Sequence, residues 1–153
     1  MTNDEQSERL LEPLISTSVA GPLGILHLPR LWLKILLHAC GRLPEGYRHG
    51  TGGFDEFFCE RFGIDRDAFI AFIETEKPDY QRTEQWVAEH ARDLSPYAVA
   101  AFNQRIRTAN MGDETAAQRR ARFGIEDTAV ANAIALNDLD DWAAMHARLT
   151  AGG

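Results

Sequence analysis

Apolar side chains along this chain recur every three or four residues, the spacing that places them on one face of an α-helix. No segment of the sequence alternates apolar and polar residues over the length of a strand, so we expect little or no β-sheet. Glycines and prolines divide the periodic segments into short lengths. The pattern therefore predicts an all-α fold, an irregular bundle of about six to eight short helices around one core.

Several predicted helices carry boundary signals. Pro29 suits the first turn of a helix because its φ is fixed, and Gly41 is placed to end that helix. Asp65 is predicted to cap another helix, and Ser95, directly before Pro96, to cap a later one. Helical spacing continues to the end of the chain. The last predicted helix has an apolar stripe on its inward face, formed by Leu139, Trp142, His146 and Leu149.

The start of the chain differs from the rest. Residues 1–9 are polar and are predicted to be mobile, whereas residues 10–153 are predicted to form a single helical domain. Within that domain, residues 10–24 mix short apolar runs with Pro13 and Pro22, which indicates an irregular arm lying on the fold. Residues 42–53 contain four glycines. We expect this loop to be the most flexible segment and a natural place for function.

The segment 28–37 predicts a helix that is apolar around almost its whole circumference, as is typical of a central helix. Arg30, Lys34 and His38 are spaced four residues apart and therefore lie along one strip of this helix. Because burial of unpaired charge is costly, they must face water, meet carboxylates or line an anion pocket. One interpretation is an exposed face. The other is a cationic pocket in which Arg30 holds an anion and Lys34 or His38 supplies charge or a proton.

Composition narrows the classes of function. The formal net charge of −7 argues against broad nucleic-acid binding and against binding to anionic membranes. The polar, acidic N-terminus is unlike a signal peptide, and the most apolar stretch is too short to span a bilayer. We therefore expect a cytoplasmic location. The two cysteines, Cys40 and Cys59, lie in apolar runs and are interpreted as small hydrophobic residues.

Three other chemistries find little support in the sequence. His27 and His38 are eleven residues apart, roughly 16 Å if both are helical, which is too far for one metal ion. The glycine-rich run before Phe54 lacks the lysine of a phosphate-binding loop. No Gly-x-Ser-x-Gly elbow signals a serine nucleophile. We predict no metal and no cofactor.

The chain resembles a bacterial family known as domain of unknown function 5069. The likeness begins at the run His27-Leu28-Pro29-Arg30-Leu31 with Lys34, and extends over most of the chain from about residue 24. Its further elements are Gly46-Tyr47, Asp55, Phe58, Gly63-Ile64-Asp65 and Phe69, with a weaker likeness at Trp86, at Asn103 and over residues 136–140. The resemblance implies that His27, Arg30, Lys34, Tyr47 and Asp55 occupy motif positions. It implies no activity.

The leading hypothesis is a cofactor-independent enzyme that uses acid–base chemistry on a small anionic or oxygenated organic molecule, as a lyase, isomerase or hydrolase. The competing hypothesis is a non-catalytic helical module that binds a partner protein or assembles as a homodimer. In the first, the catalytic candidates are His27, Lys34, Tyr47 and Asp55, and the substrate-binding candidates are Arg30, His38, Trp32 and Trp86.

Overall fold

The computed structural model of the protein describes residues 2–151, which contain eight α-helices and no β-strand beyond two isolated bridges. The all-α prediction is confirmed. The helices are α1 (Asn3–Arg9), α2 (Leu28–Ala39), α3 (Gly53–Phe62), α4 (Arg66–Glu76), α5 (Tyr80–His90), α6 (Pro96–Thr108), α7 (Asp113–Phe123) and α8 (Ala133–Thr150).

Local signals in the sequence account for many of the helix boundaries. The side chains of Asp65 and Ser95 accept hydrogen bonds from the backbone amides three residues later, as expected of N-caps. Pro29 lies in the first turn of α2. Gly41 follows α2 with φ of 67° and its amide donates to the carbonyl of His38. These boundaries were predictable because each depends on one or two neighbouring residues.

Helix α2 lies at the centre of the core and packs against α4 and α5, while α3 packs against α6. Burial of this apolar surface is the main force that holds the helices together. The interior between the helices is largely aromatic and aliphatic. Its fully buried members include Leu31, Ile35, Phe58, Phe62, Phe69, Ile73, Val87, Phe102 and Ile106.

An irregular arm before α2 lies across the fold, as the prolines in this segment predict. Two contacts tie it to α8: the Ser16 hydroxyl donates to Asp138 at 3.0 Å, and Arg148 forms an ion pair with Glu12. No helix interrupts the arm over residues 10–27. The arm therefore closes one side of the space between α2 and α8.

The turn from the arm into α2 is held in a strained conformation. His27 has φ of 74°, in the left-handed region that non-glycine residues rarely adopt, at a cost of about 1 kcal/mol or more. Asn103 on α6 fixes this turn, because its side-chain oxygen accepts from the Leu26 amide and its nitrogen donates to the Gly24 carbonyl. The strained turn directs the His27 side chain into the space between the helices.

Both ends of the chain differ in part from what the sequence predicts. Residues 3–9 of the polar N-terminal segment form helix α1, whereas Met1 of that segment, and Gly152 and Gly153 of the predicted domain, lie outside the described residues. The predicted apolar stripe of α8 is wrong. Trp142 is 54% exposed and Leu149 is 75% exposed, whereas Asp141 is buried. Helix α8 turns a partly polar face inward because Asp141 has a cationic partner there.

Candidate functional site

A cavity of about 480 Å³ lies between α2, α8, the glycine-rich loop and the beginning of α7. This volume is in the range of small-molecule sites. Five sequence-predicted residues line it together, namely His27, Arg30, Lys34, Tyr47 and Asp55. Arg30 and Lys34 are each only 6% exposed. The interpretation of their strip as the exposed face of α2 is therefore wrong for these two residues.

The ion pair between Lys34 and Asp55 forms the floor of the cavity. Lys34 Nζ lies 2.8 Å from both carboxylate oxygens of Asp55. The carboxylate also accepts from the Gly50 amide at 2.9 Å, which pins the glycine-rich loop over the site. Gly50 has φ of 114°, and a Cβ there would lie 2.6 Å from the Ile70 side chain, so this position requires glycine.

His27 is hydrogen-bonded through both ring nitrogens. Its Nε2 lies 2.7 Å from Asp55 Oδ1, and its Nδ1 lies 2.9 Å from the Thr17 hydroxyl. An ionised carboxylate can only accept, so Nε2 carries the proton and donates to Asp55. In neutral His27, Nδ1 then accepts from Thr17. His27 therefore orients Asp55 and has no ring nitrogen left for a ligand.

A second buried ion pair joins α2 to α8. The Arg30 guanidinium binds both carboxylate oxygens of Asp141, at 2.6 and 3.2 Å. Its Nη1 also donates to the carbonyls of Pro13 and Ile15 in the arm. Tyr47 donates to Asp141 at 3.0 Å. Arg30 thus joins the arm to α8, and Tyr47 links the glycine-rich loop to the same Asp141 carboxylate. Asp55 pairs with Lys34 and His27 rather than with Arg30.

Burial shifts the pKa values of the site. Burial lowers the pKa of Lys34 and outweighs the opposing effect of Asp55. Burial also lowers the pKa of His27, which is consistent with a neutral ring. For Asp55, burial acts upward, but the hydrogen bond from His27 and the charge of Lys34 bring the pKa down to about 2. Burial and the neighbouring Asp141 raise the pKa of Tyr47.

The charges that line the cavity are unequal in number. Four cations, Arg30, Lys34, Arg48 and Arg119, face three carboxylates, Asp55, Asp140 and Asp141. With His27 neutral, the lining carries a net charge of +1 in a chain whose formal net charge is −7. Over residues 2–151, no carboxylate lies within ion-pair distance of Arg48. The cavity therefore offers one uncompensated cation to a ligand.

Three of the predicted substrate-binding residues do not line this cavity, and the prediction that groups them with it is wrong. His38 is exposed one turn beyond Lys34 and stacks on His49. Trp32 donates its indole N–H to the carbonyl of Pro78 on another side of α2. Trp86 stacks on Phe72 in the core. Arg30, Lys34 and His38 lie on one strip of α2, but only the first two line the cavity. His38 is exposed because the end of α2 reaches the surface.

Two important residues of the site were missed in the sequence. Asp141 directly follows the segment 136–140, which contributes to the family resemblance, so the resemblance could have pointed to it. Thr17 lies in the irregular arm, where nothing in the local pattern distinguishes it. Its position depends on the turn at His27, whose backbone amide also donates to the Thr17 carbonyl.

Within residues 2–151, no group of three or more His, Cys, Asp or Glu side chains is arranged to hold a metal ion. No helix in the same range is both long enough and apolar enough to cross a membrane.

Comparison with known protein families identifies the chain at the level of a family. The model of a family described as a domain of unknown function, DUF5069, matches residues 18–142. The chain belongs to this family. The match includes every sequence-predicted residue that lines the cavity, as well as Asp141, whereas Thr17 lies one residue before it. No curated protein is significantly similar to this DUF5069 chain.

Proposed function

We propose that this DUF5069 protein is a cofactor-independent, cytoplasmic enzyme that carries out acid–base chemistry on a small anionic or oxygenated organic molecule, as a lyase, isomerase or hydrolase. The observation that carries the proposal is the buried Lys34 amine, which lines a polar cavity of suitable size. A lysine whose pKa is lowered by burial is suited to proton transfer nearer neutral pH.

The hydrogen bonds of Lys34 favour it over His27 as the proton-transfer residue. Both bonds that Nζ makes to described residues go to Asp55, which leaves the third N–H direction for a ligand. His27, by contrast, uses both ring nitrogens within the protein. We therefore assign the proton transfer to Lys34. Asp55 orients the Lys34 amine, and His27 orients Asp55.

The arginines of the cavity support an anionic ligand. Arg30 is committed to Asp141 and to two arm carbonyls, so it contributes mainly charge. Arg48 has no such commitment to a carboxylate among the described residues, and it lines the same cavity. Tyr47 faces the ligand from the loop and is oriented by Asp141. Arg48 is the better candidate to bind the anionic group directly.

A thermal-shift screen tests the proposal. The full chain is screened with short organic acids, phosphate esters and neutral analogues, alongside Lys34→Met and Lys77→Met variants. At 100 times its Kd, a ligand adds about 2.7 kcal/mol of stability, which raises the Tm of a domain of this size by about 5–10 °C. We expect this shift in the wild type and in Lys77→Met, because Lys77 lies outside the cavity.

Each variant is compared with its own ligand-free Tm, so a change in basal stability does not affect the reading. We expect folded Lys34→Met to lose the shift. A folded Lys34→Met variant that keeps the full shift would show that the amine does not contact the ligand.

One observation favours the competing function, a non-catalytic module that binds a protein or dimerises. Trp142 and Leu149 are seven residues apart on α8, so they share a face, and both are exposed. Sedimentation velocity distinguishes the two functions. A stable dimer, together with no response to any compound of the screen, would favour the module.

A further inference from the structure

The Lys34 nitrogen is arranged to act as a nucleophile as well as a proton carrier. A neutral amine has two N–H groups and one lone pair. With Asp55 Oδ1 and Oδ2 each 2.8 Å from Nζ, both N–H groups can donate to the carboxylate. The lone pair then occupies the remaining tetrahedral position, which points away from Asp55. Deprotonation therefore needs no rearrangement of the side chain.

The surroundings of Lys34 favour the neutral amine needed for attack. Lys34 is 6% exposed, and Arg30 lies one helical turn earlier on the same cavity wall. Desolvation and a neighbouring cation are the two features that activate lysines for attack on carbonyl groups. Asp55 and, more weakly, Asp141 oppose them, but Asp55 also accepts from His27 and from the Gly50 amide, and Asp141 is paired with Arg30.

Arg48 supplies the second half of a ligand site. Its guanidinium lies over the backbone of Gly52 and Gly53, where a Cβ on Gly53 would be 2.6 Å from Nη1. Gly53 also has φ of 52°, a left-handed conformation that favours glycine. The cavity thus combines an amine on its floor with an arginine that lacks a carboxylate partner among residues 2–151.

We propose that Lys34 forms an imine with an organic anion that contains a ketone or aldehyde group, and that Arg48 binds the carboxylate or phosphate of the same molecule. This inference rests on the proposed function and specifies its substrate class. An amine and a separate cation in one cavity of about 480 Å³ fit a short bifunctional compound rather than a simple anion.

The step is balanced without an oxidant or a further reactant. The neutral Nζ attacks the carbonyl carbon to give a carbinolamine, and loss of water gives the imine. Counted from the ammonium, two of its protons leave with the carbonyl oxygen as water, and the third remains on the iminium nitrogen. The positive charge is conserved, so Asp55 holds the iminium as it held the ammonium. The iminium withdraws electrons from the adjacent carbon, which assists proton removal or bond cleavage there.

The unusual lysine content of the chain makes this step easy to test. Lys34 and Lys77 are its two lysines, so a Lys77→Arg variant retains a single lysine side chain. This variant is incubated with pyruvate and with glyceraldehyde 3-phosphate, and each mixture is reduced with sodium borohydride. Acetone is the neutral ketone compared with pyruvate, and glyceraldehyde is the neutral aldehyde compared with the phosphorylated one. Intact mass and peptide mapping then locate any adduct.

We expect an adduct on Lys34 whose added mass is that of the carbonyl compound less one oxygen. Each anionic compound should give about tenfold more adduct than its neutral comparison, equivalent to about 1.4 kcal/mol from the Arg48 contact. The compound with the larger excess over its own neutral comparison identifies a carboxylate or a phosphate as the preferred anion. Arg48→Gln in the same background should reduce each anionic compound to the level of its neutral comparison.

Lys34→Arg is the matched control, because it keeps the positive charge but cannot form an imine. With Lys77→Arg present, any remaining adduct must be on the α-amino group, which peptide mapping distinguishes. Absence of a Lys34 adduct, while the same carbonyl compounds raise the Tm of the protein, would overturn the imine and leave the proposed function intact. Absence of both the adduct and any shift with organic anions would overturn both.

Discussion

Replacing Asp55 by Asn is expected to lower the free energy of unfolding by about 3–5 kcal/mol at pH 7. The carboxylate is 2% exposed and compensates the Lys34 ammonium, while accepting from His27 and Gly50. The amide keeps the shape of the side chain but removes its charge. Lys34 would then be a buried cation without its partner. Urea unfolding monitored by circular dichroism measures the change.

The loss of stability caused by Asp55→Asn should become smaller as the pH rises above 7. The pKa of folded Lys34 lies below the usual value, so the folded state binds fewer protons than the unfolded state, and stability increases with pH. Loss of Asp55 lowers the Lys34 pKa further, so the deficit should shrink as the pH rises from 7 toward the ordinary lysine value of 10.5.

Asp67→Asn is the control, because Asp67 is 86% exposed and lies 3.5 Å from Arg66. An exposed pair of this kind contributes less than about 1 kcal/mol. If Asp55→Asn proves as mild as Asp67→Asn, then Asp55 does not compensate Lys34 as described.

Replacing Arg30 by Met should destabilise the protein by a similar amount, about 3–5 kcal/mol. The substitution leaves Asp141 with Tyr47 as its remaining partner in the site, and it removes donors from the carbonyls of Pro13 and Ile15. Unlike the Asp55 change, it should also release the arm. Amide hydrogen exchange should therefore increase at residues 13–17 more than in the helices.

Two control variants test whether the loss of stability comes from the bonds that the Arg30 guanidinium makes. Arg30→Lys keeps the charge but cannot bind both Asp141 oxygens and the carbonyls at once, so it should recover only part of the stability. Arg105→Met on the exposed face of α6 should be nearly neutral. Unchanged hydrogen exchange in the arm of Arg30→Met would show that Arg30 does not hold it.

The fold was predictable from the sequence to the extent that local rules govern it. Pro29, Asp65 and Ser95 begin helices through their own backbone preferences or side-chain bonds. The apolar circumference of α2 predicts a central helix, which the structure confirms through Leu31 and Ile35. These predictions needed no knowledge of distant residues.

The site was only partly predictable because its polar residues pair across long sequence separations. Lys34 and Asp55 were candidates, but nothing in the spacing showed that they pair with each other. Arg30 and Asp141 are 111 residues apart, and Asp141 is buried where Arg30 and Tyr47 bind its carboxylate. A rule that buries apolar stripes therefore chose the wrong face of α8 and placed Trp142 inside.

Direct titration of Lys34 tests whether it is a buried, titratable amine at the floor of a ligand cavity. With two lysines in the chain, Nζ resonances in ¹⁵N-labelled protein are assigned by comparing the wild type with Lys77→Arg. We expect Lys34 to lose its proton below the ordinary lysine pKa of 10.5 while the protein remains folded. Titration of Lys34 at or above 10.5 would show that burial does not favour the neutral amine.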